Sequence, residues 1–223
     1  MARRRIKKLN DKRKRAHPGA SPGTLVLHPD SKAPTIHLIS YGGDFLDERM
    51  IEKVCDLAAP LKNTALVHWI DFRGLGSEIV LRELAALFKI HPLALEDIVH
   101  VPQRPKMELF DDHQFVIARM VSMRSADDME AEQFSIFLGR NYVLTIREGG
   151  MDCLNPVRDR LRRKGGIHRK CGADYLFYSF LDAIVDNYFP VLESYGEYLE
   201  LLEEQTVTPV SYTHLTLPTN REV

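Results

Sequence analysis

The sequence predicts an α/β sandwich with a mixed, largely antiparallel sheet, followed by a long C-terminal helix. Three observations predict it. Short runs rich in Ile, Leu, Val and aromatic residues alternate with helically spaced apolar residues in the first half of the chain. Four strand-like runs then succeed one another with only polar or Gly-containing turns between them. Finally, Ala173 to Gln205 holds a single glycine, Gly196, in 33 residues.

Taken in order, Pro18 to Gly23 is a turn-rich linker, and Thr35 to Tyr41 and Thr64 to Phe72 read as strands. Between them, Met50, Ile51, Val54 and Leu57 give Asp47 to Ala58 helical spacing. Ser77 follows Gly74 and Gly76 and can cap a helix through Phe88, with Ile79, Leu81, Leu84, Leu87 and Phe88 apolar. A second short helix begins at Pro92, a residue favoured in the first turn because its missing N–H costs nothing there. Arg104 to Asp112, Gln114 to Met123, Ala131 to Gly139 and Asn141 to Arg147 are the four strand-like runs, most simply an antiparallel meander. Asn155 to Lys164 is a helix with Pro156 in its first turn, ended by Gly165 and Gly166. From these positions Trp69, Leu84, Leu87, Phe88, Phe115, Ile117, Phe134, Ile136, Val143 and Leu144 are expected in the core.

If wholly helical, the last segment would run roughly 50 Å at 1.5 Å per residue. At 100° per residue Phe177, Leu181, Ile184, Tyr188 and Leu192 share one face. Asp182, Asp186, Glu193, Glu197, Glu200 and Glu204 cluster on another, which solvation of an outer face accounts for in most of these residues.

The composition, 44% apolar and 27% charged, is that of a globular chain able to bury one core. A net charge of -1 hides an asymmetry. Met1 to Arg15 carries nine basic residues against Asp11, leaving 21 basic and 30 acidic residues for the remainder. Such a block repels itself and reads as a solvated arm, with anionic lipid as the rival partner. No aromatic residue interleaves it for base stacking, so nucleic acid is not expected. Cys55, Cys153 and Cys171 are widely spaced, which indicates neither a disulfide framework nor a zinc site and suits a reducing compartment. The N-terminus lacks the apolar stretch of a signal peptide, and no run approaches the roughly 20 apolar residues of a membrane helix.

The most informative stretch is Ile90 to Lys106, I-H-P-L-A-L-E-D-I-V-H-V-P-Q-R-P-K. Leu95, Ile98 and Val99 occupy the inward arc of the short helix, leaving the adjacent acids Glu96 and Asp97 pointing outward. Hard magnesium takes oxygen ligands in an octahedron and dehydrates reluctantly, so one or two carboxylates plus retained waters suit it. Alone, an adjacent acidic pair is an ordinary surface feature. The motif H-P-L-x-L-E-D-I, followed by Q-R-P-K, by N-P-V-R at Asn155 to Arg158, and by A-D-Y-L-F-Y-S-F-L-D-A-I-V-D-N-Y-F at Ala173 to Phe189, resembles the cytoplasmic domain of the CorA magnesium/cobalt transporter family.

That resemblance covers roughly Pro22 to Gln205. It implies that Asp97, with Glu96 nearby and Asp182 from the long helix, binds a regulatory divalent cation at the boundary between neighbouring protomers. The implied ion is Mg2+, with Co2+ as the alternative. It further implies a homopentameric inner-membrane transporter whose region here is cytoplasmic and closes the pore when magnesium is abundant. The family's pore-lining stalk helix, its two C-terminal membrane segments and its G-M-N loop do not occur in these residues, so this stretch would sense rather than conduct. A zinc transporter of the same superfamily and a soluble divalent-metal-binding module are the competing readings.

An enzyme is not expected. His91, His100 and His113 lie near carboxylates in sequence, but neither H-E-x-x-H nor G-x-S-x-G occurs. His91 before Pro92 reads as a helix-entry residue, and His68 beside Trp69 as a strand residue. The expected organisation is a basic tail at 1–22, an α/β domain at 23–170 and the long helix at 171–209. At 210–223, V-S-Y-T-H-L-T-L-P-T-N-R-E-V abandons helical periodicity and its first ten residues look like a translated sequencing adaptor, so the natural protein is expected to continue differently beyond residue 209.

Overall fold

A computed structural model of the chain describes residues 21, 23–125 and 128–207. Apart from Ser21, the basic tail at 1–22 lies outside the described residues, as does the segment 210–223. Among the described residues seven strands form one sheet: β1 (Thr35–Gly42), β2 (Phe45–Ile51), β3 (Val67–Arg73), β4 (Lys106–Leu109), β5 (Gln114–Ser125), β6 (Asp128–Leu138) and β7 (Tyr142–Arg147). Their order is β2-β1-β3-β7-β6-β5-β4. Every pair is antiparallel except β3 and β7, whose parallel pairing needs the long crossover that the intervening helices and strands supply. The expected meander is present as β4 to β7.

Alternation along the strands divides the core into two apolar layers. Ile36, Leu38, Ile70, Phe72, Phe115, Phe137 and Leu144 point to one face. There they meet α2 (Glu78–Phe88) and α3 (Pro92–Val99) through Leu81, Leu84, Phe88, Ala94, Leu95 and Ile98. Ile39, Trp69, Phe134, Ile136 and Val143 point to the other, where α4 (Asn155–Arg162) and α5 (Ala173–Asp186) supply Val157, Leu161, Leu176 and Phe180. The result is the expected sandwich, with helices on both sides of a mixed sheet. Of the expected core residues only Leu87 falls short: it is partly buried, packed on the edge of the first layer. Ile79 is exposed.

The helix expected over Asp47 to Ala58 does not form. Gly43 and Asp44 make a two-residue turn, with Gly43 at φ 55°, and Gly42 pairs with Phe45 across it. That turn sends the chain back along β1 as a hairpin strand, and the backbone ladder outweighs the apolar spacing. Met50 is accordingly exposed, and helical structure is confined to a 3-10 turn at Val54–Leu57 and to α1 (Ala58–Leu61). At the end of β3, Gly74 takes φ 95°, where a Cβ would collide with the Ala33 carbonyl oxygen. This crossing leads into α2, whose cap is Ser77, accepting from the Val80 N–H at 3.4 Å.

The long C-terminal helix is divided by one turn residue, Asn187, into α5 and α6 (Tyr188–Val207). Pro190, near the start of α6, lacks an N–H and cannot continue the ladder of α5. The Asn187 side-chain amide donates to the Ala183 carbonyl at 2.7 Å. The inward face also differs from the expected one. Leu176, Phe180, Ala183, Ile184 and Val191 are buried, Phe177, Leu181 and Tyr188 only partly, and Leu192 is 62% exposed.

Candidate functional site

The short helix α3 is set by its first residues. His91 is extended and its Nδ1 accepts from the Leu93 N–H at 3.2 Å, while Pro92 opens the first turn. Burial of Ala94, Leu95 and Ile98 against the sheet turns Glu96 and Asp97 away from the core. The two acids are not free surface groups, however, as the helical wheel suggested. Their side chains are 27% and 23% exposed, and each already has partners. Glu96 Oε2 accepts from the Gly23 N–H at 3.0 Å, and His100 Nδ1 lies 3.4 Å from Oε1. Asp97 Oδ2 accepts from Lys106 Nζ at 2.6 Å, and the same ammonium reaches Glu108 Oε1 at 2.7 Å. Partial burial works against the Lys106 charge, but hydrogen bonds to Asp97 and Glu108 outweigh it and raise the pKa.

Gln133 of β6 fastens this corner from below. Its Nε2 donates to the Asp97 carbonyl at 3.0 Å, and its Oε1 accepts from the Gln103 N–H at 2.8 Å. One buried amide therefore holds both the last turn of α3 and the segment leading to β4.

Asp182 is elsewhere. It sits on α5, 39% exposed, with Arg160 of α4 at 3.9 Å. Because α5 and α3 cover opposite faces of the sheet, one chain does not bring Asp182 together with Glu96 and Asp97. Among the described residues no three His, Cys, Asp or Glu side chains converge into a metal-holding group. The donor chemistry still suits magnesium, which needs few protein oxygens and keeps its waters. One chain presents Glu96 and Asp97 on one side of the sheet and Asp182 on the other.

A second polar constellation was not foreseen. Asp71 of β3 is 1% exposed and accepts from Arg158 at 2.8 Å, Arg73 at 2.8 Å and Arg147 at 3.1 Å, with Thr145 on its other oxygen at 3.1 Å. Burial pushes its carboxyl up, but the three guanidiniums outweigh that and hold it below the usual carboxylate value. Asp152 pairs with the same three arginines, and Arg147 also donates to the Met151 carbonyl. The Arg158 guanidinium stacks over Trp69 at 4.9 Å. Beside this network a cavity of about 310 Å³ is lined by His37, Arg73, Asp152, Asn155, Arg158 and Arg162, among others. The signal in the sequence was Asp71 itself, a charge in the middle of the apolar run V-H-W-I-D-F-R. Two of its arginine partners, Arg147 and Arg158, lie 76 and 87 residues further on.

His68 and His113 take structural places. His68 bonds to Ser40 at 2.9 Å and to the Asn63 carbonyl at 3.0 Å, and His113 packs between the rings of Phe110 and Phe137. The three cysteines are free thiols. Among the described residues no helix is long and apolar enough to cross a membrane.

Comparison with known proteins accords with this fold. The family model described as CorA-like Mg2+ transporter protein matches residues 65–215. The cobalt/magnesium transport protein CorA of Thermotoga maritima is 36% identical over 203 residues, 89% of this chain and 57% of that protein. The magnesium transporter ALR1 of Saccharomyces cerevisiae is 32% identical over 138 residues, 61% of this chain and 16% of that protein. The chain thus spans little more than half the length of the Thermotoga relative and less of the yeast one. In fold it resembles the soluble domain of CorA from Methanocaldococcus jannaschii, with a TM-score of 0.55 at 18% identity over 75% of this chain and 63% of that one. The matched model covers β3 through α6, including Glu96, Asp97 and Asp182, and on that ground the chain belongs to the CorA-like Mg2+ transporter family.

Proposed function

We propose that the chain is the cytoplasmic, metal-sensing domain of a magnesium/cobalt transporter of the inner membrane, working as a homopentamer through a C-terminal part beyond these residues. In this reading residues 23–170 form the sensing domain and 171–209 the lever toward the pore, with 1–22 a basic arm and 210–223 foreign to the natural protein. The observation that carries it is the separation of the acids: Glu96 and Asp97 lie on one side of the sheet and Asp182 on the other. A ring of subunits that sets one side of the domain against the opposite side of its neighbour would bring the two half-sites together. Bound Mg2+ supplies a divalent charge that offsets repulsion between such carboxylates. Glu96 and Asp97 of one subunit and Asp182 of the next then hold the ring closed, and when intracellular magnesium falls the same acids repel and loosen it.

Expression of the complete natural gene in cells lacking their own magnesium uptake tests the transport reading. Restored growth at low magnesium and uptake of magnesium or cobalt are expected. A complete protein that binds magnesium but moves none across the membrane would favour a soluble metal-binding module instead.

A further inference from the structure

The carboxylate assigned to magnesium is occupied by a cation of the chain's own. Lys106 Nζ lies 2.6 Å from Asp97 Oδ2 and 2.7 Å from Glu108 Oε1, its side chain 31% exposed. The lysine opens β4 nine residues after Asp97. Neither backbone is free to drift, since Gln133 holds the Asp97 carbonyl and β4 is laddered to β5 with Lys106 opposite Ile117. The ammonium on its flexible stem is the part that can move, and Glu108 gives it a second carboxylate to rest on.

We propose that Lys106 is a built-in competitor for the divalent cation: it neutralises Asp97 when the site is empty, must be displaced toward Glu108 for the ion to bind, and so sets the magnesium concentration at which the sensor responds. The proposal rests on the sensor reading of Asp97. A point charge on a four-carbon stem suits this role, because it can leave without disturbing the fold. Glu108 is then a parking place that lowers the cost of leaving. Lys106 and Glu108 act on the ion through Asp97 and are positioning residues, not ligands.

The test is a calorimetric titration of the full-length protein with magnesium chloride, following the component of binding that Asp97→Asn removes. Lys106→Met is expected to tighten that component about tenfold, by deleting the competitor. Lys106→Arg, which keeps the charge, should leave it within about threefold of the parent. Arg104→Gln removes an exposed positive charge two residues away and should shift affinity less than about twofold, since exposed charges are screened. Glu108→Gln should weaken binding in the parent but have little effect in the Lys106→Met background, because its action runs through the lysine. Equal effects of Lys106→Met and Arg104→Gln, or no effect of Lys106→Met, would overturn the competitor while leaving the sensor in place. If Asp97→Asn removes no binding component at all, the sensor reading itself fails, and the competitor with it.

Discussion

Arg158 of α4 donates to the Asp71 carboxylate of β3 across 2.8 Å, both side chains being almost wholly buried, and so ties a helix on the sheet's outer layer to a strand in its interior. Arg147 of the neighbouring β7 closes the same carboxylate from the side, 3.1 Å away. Removing one partner of a buried ion network strands the others without compensation. Asp71→Asn is therefore expected to destabilise the domain by about 3 to 5 kcal/mol, measured by urea unfolding. A variant as stable as the parent would show that Asp152 alone can satisfy the three arginines.

The same network predicts acid sensitivity. Asp71 and Asp152 are each pushed up by burial but held lower by Arg147, Arg158 and Arg73. Since the folded pKa lies below the unfolded value, their stabilisation is fully present above the unfolded carboxylate pKa of about 3.9 and is lost as pH falls through the folded values. The melting temperature should fall steeply below about pH 4 in the parent and less steeply in Asp71→Asn/Asp152→Asn. Parallel pH profiles would contradict the assignment.

Core packing separates two neighbouring leucines of α2. Leu84 is fully buried and Leu87 only partly. Leu84→Ala should cost about 2 to 5 kcal/mol, and Leu87→Ala clearly less, because a residue at the edge leaves a smaller void. Urea midpoints of the two variants decide this, and equal losses would contradict the different burial.

Much of the architecture was legible because its signals are local. The meander could be read from four apolar runs and their turns, and α2 and α3 from Ser77 and Pro92. Asp47 to Ala58 misled because Met50, Ile51, Val54 and Leu57 fit a helix, while the decision lay with the short turn at Gly43 and Asp44. The division at Asn187 had its mark in Pro190, which the glycine-poor composition of the segment obscured. The surroundings of Glu96 and Asp97 were not legible. Lys106, Gly23 and Gln133 come to Glu96 and Asp97 from three separate places in the chain, and nothing in the motif L-E-D-I announces them.

Gln133 should govern how firmly α3 is held. Gln133→Ala leaves the Asp97 carbonyl and the Gln103 N–H without their partner, a loss of about 1 to 3 kcal/mol for part-buried groups. Amide hydrogen exchange at Gln103 should accelerate while that of β7 stays nearly as slow as in the parent. Uniform acceleration would point to global destabilisation instead of a local fastening.

The regulatory role proposed for Glu96, Asp97 and Asp182 is tested most directly by magnesium-dependent inhibition of uptake in cells or membrane vesicles, using the full-length parent, Asp97→Asn, and the triple neutralisation of all three acids. Asp97→Asn keeps the shape of the side chain and removes its charge. Closure by intracellular magnesium should weaken in that variant and weaken further in the triple variant, with conduction itself retained. Inhibition unchanged from the parent in both would contradict a sensor built on these residues.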